Sequence, residues 1–547
     1  MAIETTARTH TTGTTSATDR RPEQANQPDA VRLPSGRALA LPLAFALGLV
    51  VFGFLHPVRQ NAALLWSFLG AAAALMIWDA ILFVAARRAG RTLTLTIDLR
   101  KQHYLQACAQ GSVLLYWGWY WRPVYESVHL IAAQLLFAYA FDMLLSWSRR
   151  DAYTLGFGPF PVIFSINLFL WFRPEWFYLQ FLMVALGFTA KELLRWNKDG
   201  RRTHIFNPSS FPLAVFSLAL IFTGTSDLTL GHDIAITQFY PPHMYLMLFL
   251  IGLPGQFFFG VTSMTMSAVV TTYLFGLVYY AATGTYFFYD SYIPIAVFLG
   301  MHLLFTDPST SPRTELGRVI FGMLYGLSTV ALYQLLGNAG LPAFYDKLLQ
   351  VPILNLSIKL IDRAARSKLL RALDPAALGR WLAPRQRNLA YMTLWGVVFV
   401  IMSSVQGVGD DHPGQWLPFW QQACQEERPD ACRYLANMQT KYCDHGSGWA
   451  CNELGILQAR RERDYVSALE SMTRGCERGF LPACGNANRR TSAGAFQSGP
   501  PTLDDYPIIL RGSKRPITER TPAALYALAC REGWPEACGR SNTAGGE

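Results

Sequence analysis

Charge is scarce in this sequence. Only 15% of its 547 residues are Asp, Glu, Lys or Arg, against about 25% in an average soluble domain. Since 51% are hydrophobic and 14% aromatic, too few charges remain to cover a soluble surface, and the composition points to a membrane protein. Also missing are a Walker loop, a GxGxxG motif after a strand, and any convincing Ser/His/Asp arrangement, so soluble catalytic domains of those kinds are excluded. The first 33 residues, rich in Thr, Asn, Gln and Pro, contain no apolar h-region. No cleaved signal peptide is therefore expected, and residues 1–36 read as a disordered cytoplasmic tail before an anchor that stays. Cysteine is almost absent before residue 420, with Cys108 the one exception.

Long apolar runs are abundant. Runs of about 20 residues, enough to cross a ~30 Å hydrocarbon core, start near residues 38, 62, 103, 125, 156, 175, 208, 241, 261, 293, 318, 342 and 389. The roughly thirteen candidate spans predict an all-α polytopic membrane bundle. Basic residues cluster in alternate loops: Arg87, Arg88, Arg91, Arg100 and Lys101; Arg149 and Arg150; Arg195, Lys198, Arg201 and Arg202; then Arg363, Arg366, Lys368, Arg371, Arg380, Arg385 and Arg387. Loops such as 122–124 and 225–240 carry few or none. Because Lys and Arg stay on the cytoplasmic side, the amino terminus is expected inside a bacterial inner membrane and the carboxy-terminal region outside, in the periplasm. The net charge of +10 then marks the inner face and asks for membrane lipid, not nucleic acid. The predicted units are transmembrane helices over 37–148, a transmembrane core over 149–363, a basic cytoplasmic loop over 364–388, a last span over 389–408 and a periplasmic region over 418–540.

Eight of the nine cysteines lie in that last region, in four pairs of one spacing: Cys424/Cys432, Cys443/Cys451, Cys476/Cys484 and Cys530/Cys538. Zinc sites usually use shorter spacings mixed with His. Buried thiol pairs are the other alternative, but in an oxidising compartment the pairing reads as four disulfides, each stapling a helix–turn–helix. "CQEERPDAC", "CERGFLPAC" and "CREGWPEAC" repeat wording as well as spacing. In this Cys frame the region resembles cysteine-rich Sel-like repeats of the tetratricopeptide group. That resemblance implies a disulfide-stapled α-solenoid with a face for a periplasmic protein. Within it, "TSAGAFQSGPPTLDD" reads as a loop.

Two polar seams interrupt the apolar core: "HIFNPSSFPL" and "FTDPSTSPRTELGRVIFG". Asn207 and Pro208 suit a helix start, Asp307 and Pro308 end a span, and Thr314 and Glu315 offer capping groups for the next helix. Helix starts of this kind favour anions and polar rings; tight connectors have the same spacing. Residues 150–363 resemble the D-type membrane subunits of Rnf electron-transport complexes and the homologous B-type subunits of the sodium-pumping NADH:quinone reductase. The matching residues are Lys191; Phe206, Asn207 and Pro208; Thr306, Asp307 and Pro308; Gly317, Arg318, Phe321 and Gly322; and Asn355 and Asp362. The resemblance implies a subunit that holds flavin (FMN or riboflavin), passes electrons across a membrane with other subunits, and couples this to cation movement. It assigns the flavin to Phe206, Asn207, Pro208, Thr306, Asp307, Thr314, Gly317 and Arg318, with Arg318 paired to Asp307 or to an anionic ligand. Family members attach FMN covalently to a Thr in a Gly-Ala-Thr context. The corresponding loop here offers Thr237 without the Gly-Ala, so noncovalent flavin is expected.

Ionisable groups inside a bilayer are costly. Asp79 and Asp142 are candidates for a proton or cation path; His129, Gln134 and His302 read as bundle-satisfied polar groups, and no His pair suggests a haem or metal site. "YWGWYW" (Tyr116–Trp121) reads as an interfacial aromatic belt. Two functions of different class follow: a flavin-binding subunit of a redox complex, or a non-redox scaffold or assembly factor whose repeats bind a partner. A transporter using Asp79 and Asp142 is a third.

Overall fold

The computed structural model describes residues 30–541 apart from residues 199, 379–380, 406–407, 409–411, 489–495, 511–516 and 518. Most of the assigned tail thus lies outside the described residues, but Ala30–Pro34 forms a strand, β1, and the first helix begins at Ser35. β1 pairs antiparallel with β2 (Thr92–Ile97), which pairs parallel with β3 (Ala152–Leu155). This small sheet gathers the first two basic loops at one end of the molecule, where the Arg91 side chain donates to Asp151 and to the Trp147 carbonyl.

Among the described residues six helices are long and apolar enough to cross a membrane: Ser35–Gly53, Ala62–Arg88, Val128–Arg149, Thr262–Thr283, Glu315–Asn338 and Pro384–Val405. Ser210–Thr223 and Met244–Phe259 are shorter apolar helices. Asn61 caps the longest by accepting from the Leu64 N–H, and Arg87 and Arg88 occupy its last turn, where the helix dipole favours cations. Glu315–Asn338 packs closely along Thr262–Thr283 because Gly322 and Gly326 sit one turn apart on its contacting face. A Cβ at Gly322 would collide with the Met264 carbonyl and Ser267 hydroxyl, and one at Gly326 would lie 2.9 Å from the Ala268 carbonyl.

The starts read near 156 and 293 mark helices of nine residues only, Pro159–Asn167 and Ile295–Leu303. At 1.5 Å per residue each is about 14 Å long, half a hydrocarbon core. Every residue of the second is buried, as are seven of the first. Their apolar composition therefore reflects burial in protein and not contact with lipid, a distinction that hydropathy cannot make. The starts near 175 and 342 correspond to sixteen-residue helices, Tyr178–Leu193 and Gln350–Ala365.

Where the half-length helices stop, free backbone carbonyls must find donors inside the protein. Buried amides supply them: Gln238 to the Leu168 carbonyl, Gln180 to Leu170, Gln110 to Leu303 and Asn207 to Leu304. Gln110 also donates to Ser165, so it ties one short helix to the other. Gln134, expected to be satisfied in the bundle, exchanges two hydrogen bonds with Asn167.

After residue 412 the chain forms short helices, and all four expected disulfides are present, at Cys424–Cys432, Cys443–Cys451, Cys476–Cys484 and Cys530–Cys538. Each joins the end of one helix to the start of the next. Residues 496–505, part of the expected loop, are irregular but anchored: Asn452 and Asn486 donate to the Gln497 carbonyl, and Asp505 accepts from Ser447 and Thr502. This domain is joined to the bundle at the end away from the basic seams. Glu315–Asn338 starts in the seam and, about 36 Å on, brings Gly337 beside Arg433. Arg428 donates to the Gly284 carbonyl, the Tyr434 hydroxyl to Phe287, and Gln415 to Asp290.

Candidate functional site

The two seams converge. Asn207 stands just ahead of the helix Ser210–Thr223. Its side-chain oxygen accepts from the Ser209 and Ser210 N–H groups and the Ser209 hydroxyl, while its own backbone N–H donates to Asn355 Oδ1 at 3.1 Å. Asn355 in turn donates to the Thr310 carbonyl. Asp307 caps the Pro308–Thr310 turn: one oxygen accepts from the Ser309 N–H, the other from the Thr310 hydroxyl and from His204 at 3.2 Å. Asp362 accepts from the N–H groups of Arg313 and Thr314 and from the Thr314 hydroxyl, which itself caps Gly317. The hairpin β4 (Arg195–Lys198) and β5 (Arg201–His204) covers the knot, with Lys198 donating to the Ser311 carbonyl.

Arg318 does not pair with Asp307. Its guanidinium goes to Glu315 at 3.0 Å and to the carbonyls of Gly260 and Pro312. The difference follows from helix periodicity, because residues three apart share a face and Glu315 reaches Arg318 first. Phe206 stacks on Phe211 and Thr306 donates to the His302 carbonyl. The expected flavin residues Phe206, Asn207, Pro208, Thr306, Asp307, Thr314, Gly317 and Arg318 thus meet in one place, but as a lock. Gly187 fits against the Pro208 carbonyl and Gly317 against the Thr314 hydroxyl, where a Cβ would clash. Polar atoms already bonded within the chain have little left for a ring's nitrogens and carbonyls, so these residues do not fit a flavin well.

The proposed path residues are also placed. Asp142 lies 3.6 Å from Lys191, whose ammonium sits over the Phe188 ring. Asp79 is buried on another helix, and its Oδ1 has no hydrogen-bond partner among the described residues. His302 Nδ1 donates to the Phe298 carbonyl.

A larger space lies at the opposite end. A cleft of about 790 Å³ opens between the bundle and the disulfide domain, within the size range of small-molecule sites. Its flat walls come from Trp121, Tyr240, Phe288, Tyr289, Tyr333, Phe344 and Tyr434, and its polar groups include His232, Asp233, Thr237, Asp290, Asn437, Thr440 and Lys441. Thr237 ends the helix Gly231–Thr237, is buried, and accepts from the Trp117 indole N–H at 3.1 Å. Asp290 has its pKa raised by burial, opposed by Lys441 and by hydrogen bonds from Ser291 and Tyr289. The ion pair of Asp346 and Lys347 closes the floor at 3.4 Å, both residues buried.

This arrangement corrects the belt reading of Tyr116–Trp121. The helical period turns Trp117 inward, where it stacks on Trp121 at 5.0 Å and meets Trp171. Trp119 and Tyr120 alone of the stretch are largely exposed. Sequence reasoning missed the cleft, although one signal was available: "TYFFYDSY" (Thr285–Tyr292) packs aromatics around a single acid between two helices.

The chain matches no protein-family model, and neither a curated protein nor a solved structure matches it.

Proposed function

We propose that this chain is a membrane subunit of an electron-transport complex that binds flavin noncovalently, and that the ligand lies in the cleft between bundle and disulfide domain. The cleft carries the proposal: it combines flat aromatic walls with a few convergent polar groups, the combination an isoalloxazine requires. Thr237, the one candidate for covalent attachment, lies in its wall. Its buried hydroxyl is engaged by Trp117, and noncovalent binding suits that engagement. A bound flavin supplies a ring that accepts and passes on electrons. In that role Tyr240, Phe288 and Phe344 would provide the flat walls for the ring, Trp121 and Tyr333 would exclude water, and Asp290 and Thr237 would be available for hydrogen bonding. Electron donor and acceptor would come from other subunits.

In this reading the protein lies in a bacterial inner membrane, with the seams in the cytoplasm and the disulfide domain in the periplasm. The positive-inside distribution and the pairing of eight cysteines support that orientation from independent directions. Sel-like repeats would dock a periplasmic protein; Tyr465, Val466, Leu469 and Leu481, all exposed, are the apolar residues available for it.

The test is purification in detergent followed by flavin absorbance. A yellow protein whose chromophore is released on denaturation is the expected result. A colourless protein that takes up neither FMN nor riboflavin overturns the redox reading. It would favour the scaffold alternative, which the self-satisfied seam also supports.

A further inference from the structure

We infer that residues 364–387 form an in-plane collar on the membrane surface that binds anionic phospholipid headgroups, with Leu369, Leu373 and Trp381 entering the interface beside them. The inference needs only that the long apolar helices cross a membrane, and it stands or falls apart from the flavin reading. The helix Gln350–Ala365 marks where the chain leaves the hydrocarbon. Ile353, Leu356 and Leu360 are exposed on it, and Arg363, also exposed, continues the same face at spacings of three and four. Lipid-facing apolar side chains therefore end between Leu360 and Arg363. The chain returns on the helix Pro384–Val405, where the exposed Arg385 stands one turn before the exposed Leu389. Both crossings are fastened: Asp362 accepts from the Arg313 and Thr314 N–H groups, and Asn388 donates to the Phe257 carbonyl near the end of the helix Met244–Phe259. Between them Pro375–Leu378 packs against the helix Glu315–Asn338, so the segment is held to the bundle and does not hang away from it.

At that level the segment presents apolar and basic side chains together. Leu369, Leu373 and Trp381 are 84%, 67% and 81% exposed. Large apolar groups left open among polar ones mark a contact surface, and Trp is a residue of membrane–water interfaces. From Arg363 to Arg387 seven basic residues stand against one acid, Asp374, and that carboxylate caps its own turn by accepting from the Ala376 N–H. The earlier basic loops differ. There Arg91 pairs with Asp151, Arg100 with Asp98, and both Arg150 and Arg195 with Glu192. Arg363, Lys368 and Arg385 have no carboxylate partner among the described residues. Cations without internal partners, set beside exposed Leu and Trp at the edge of the hydrocarbon, match an anionic lipid surface: headgroup phosphates meet the charges and acyl chains meet the apolar groups. A nucleic acid or an acidic protein would satisfy the charge but leave Leu369 and Leu373 in water.

The experiment places an environment-sensitive dye at Trp381→Cys in a Cys108→Ser background, the other cysteines being disulfide-bonded. The full-length protein is reconstituted in nanodiscs of phosphatidylcholine alone or mixed with phosphatidylglycerol, and quenching of the dye by aqueous acrylamide is measured. Phosphatidylglycerol should lower the quenching about fivefold, the effect of one surface cation beside an anionic leaflet, and high salt should reverse this. Lys368→Gln combined with Arg385→Gln should abolish the protection while leaving the melting temperature in detergent unchanged. Equal quenching in the two kinds of disc overturns the proposal, whether the dye is shielded in both or open in both. Protection that the double variant retains overturns it as well, since the cations would then have no part in it.

Discussion

Asp307 and Asp290 stand in comparable positions, each in a turn beside a half-length helix at one end of the bundle, and their surroundings treat them in opposite ways. Burial alone would raise the pKa of Asp307. Hydrogen bonds and charge from His204, with further bonds from Ser309 and Thr310, reverse this and hold it below the ordinary value of 3.8. At Asp290 burial prevails over Lys441, Ser291 and Tyr289, and its pKa is raised. Overcompensated carboxylates of the first kind fasten backbone to backbone. An undercompensated one beside an open cleft keeps unused capacity for a ligand. The contrast teaches that a dense run of polar residues between apolar segments can mark a fastening, whereas an aromatic run with one acid in it can mark a site.

Four measurements bear on that contrast. The largest effect is expected at the seam: Asp362→Ala strands the Arg313 and Thr314 N–H groups and the Thr314 hydroxyl. It should cost about 3 kcal/mol, seen as a lower denaturation midpoint in detergent. Flavin affinity of the remaining folded protein should not change; a loss of affinity without loss of stability would make the seam a binding site after all. Next, Cys424→Ser with Cys432→Ser opens the staple that leads into the cleft-lining helix. About 2 kcal/mol of stability should be lost, and FMN should bind more weakly. Unchanged affinity would separate the wall of the disulfide domain from the ligand.

Tyr240→Ala removes a half-exposed wall of the cleft. It should weaken flavin about tenfold, or about 1.4 kcal/mol, while stability stays near wild type. The smallest effect belongs to Asp290→Asn. Because burial raises its pKa, the aspartate contributes most when protonated, below the ordinary value of 3.8. That contribution is lost as pH rises through the raised folded value. The Asn variant should flatten the fall of melting temperature in that window, whereas a variant that loses stability as pH rises through it would show that Asp290 resembles Asp307.

Much of the seam was legible in advance. Thr314 caps its helix through the Gly317 N–H, as an N-cap threonine should, and Asn207 and Asp307 lie at chain turns where Pro follows. Their partners were not legible: His204 is 103 residues from Asp307, and Asn355 is 148 from Asn207. Thirteen apolar starts overstated the long helices for a related reason. Pro159–Asn167 and Ile295–Leu303 are as apolar as spans because protein surrounds them, and only the positions of Gln110, Gln180, Gln238 and Asn207 reveal that the backbone stops halfway.

Local chemistry was enough to determine the apolar class of the chain, the capping residues and the four cysteine pairs, because each depends on neighbours a few residues away or on total composition. The cleft and the Arg318–Glu315 choice came from the tertiary structure. So did the turning of the helix Ala431–Asp444 toward the bundle, since Tyr434 and Phe287 are 147 residues apart. Contacts at that separation arise only when packing brings distant segments together, and no local pattern encodes which of many polar or aromatic groups will meet.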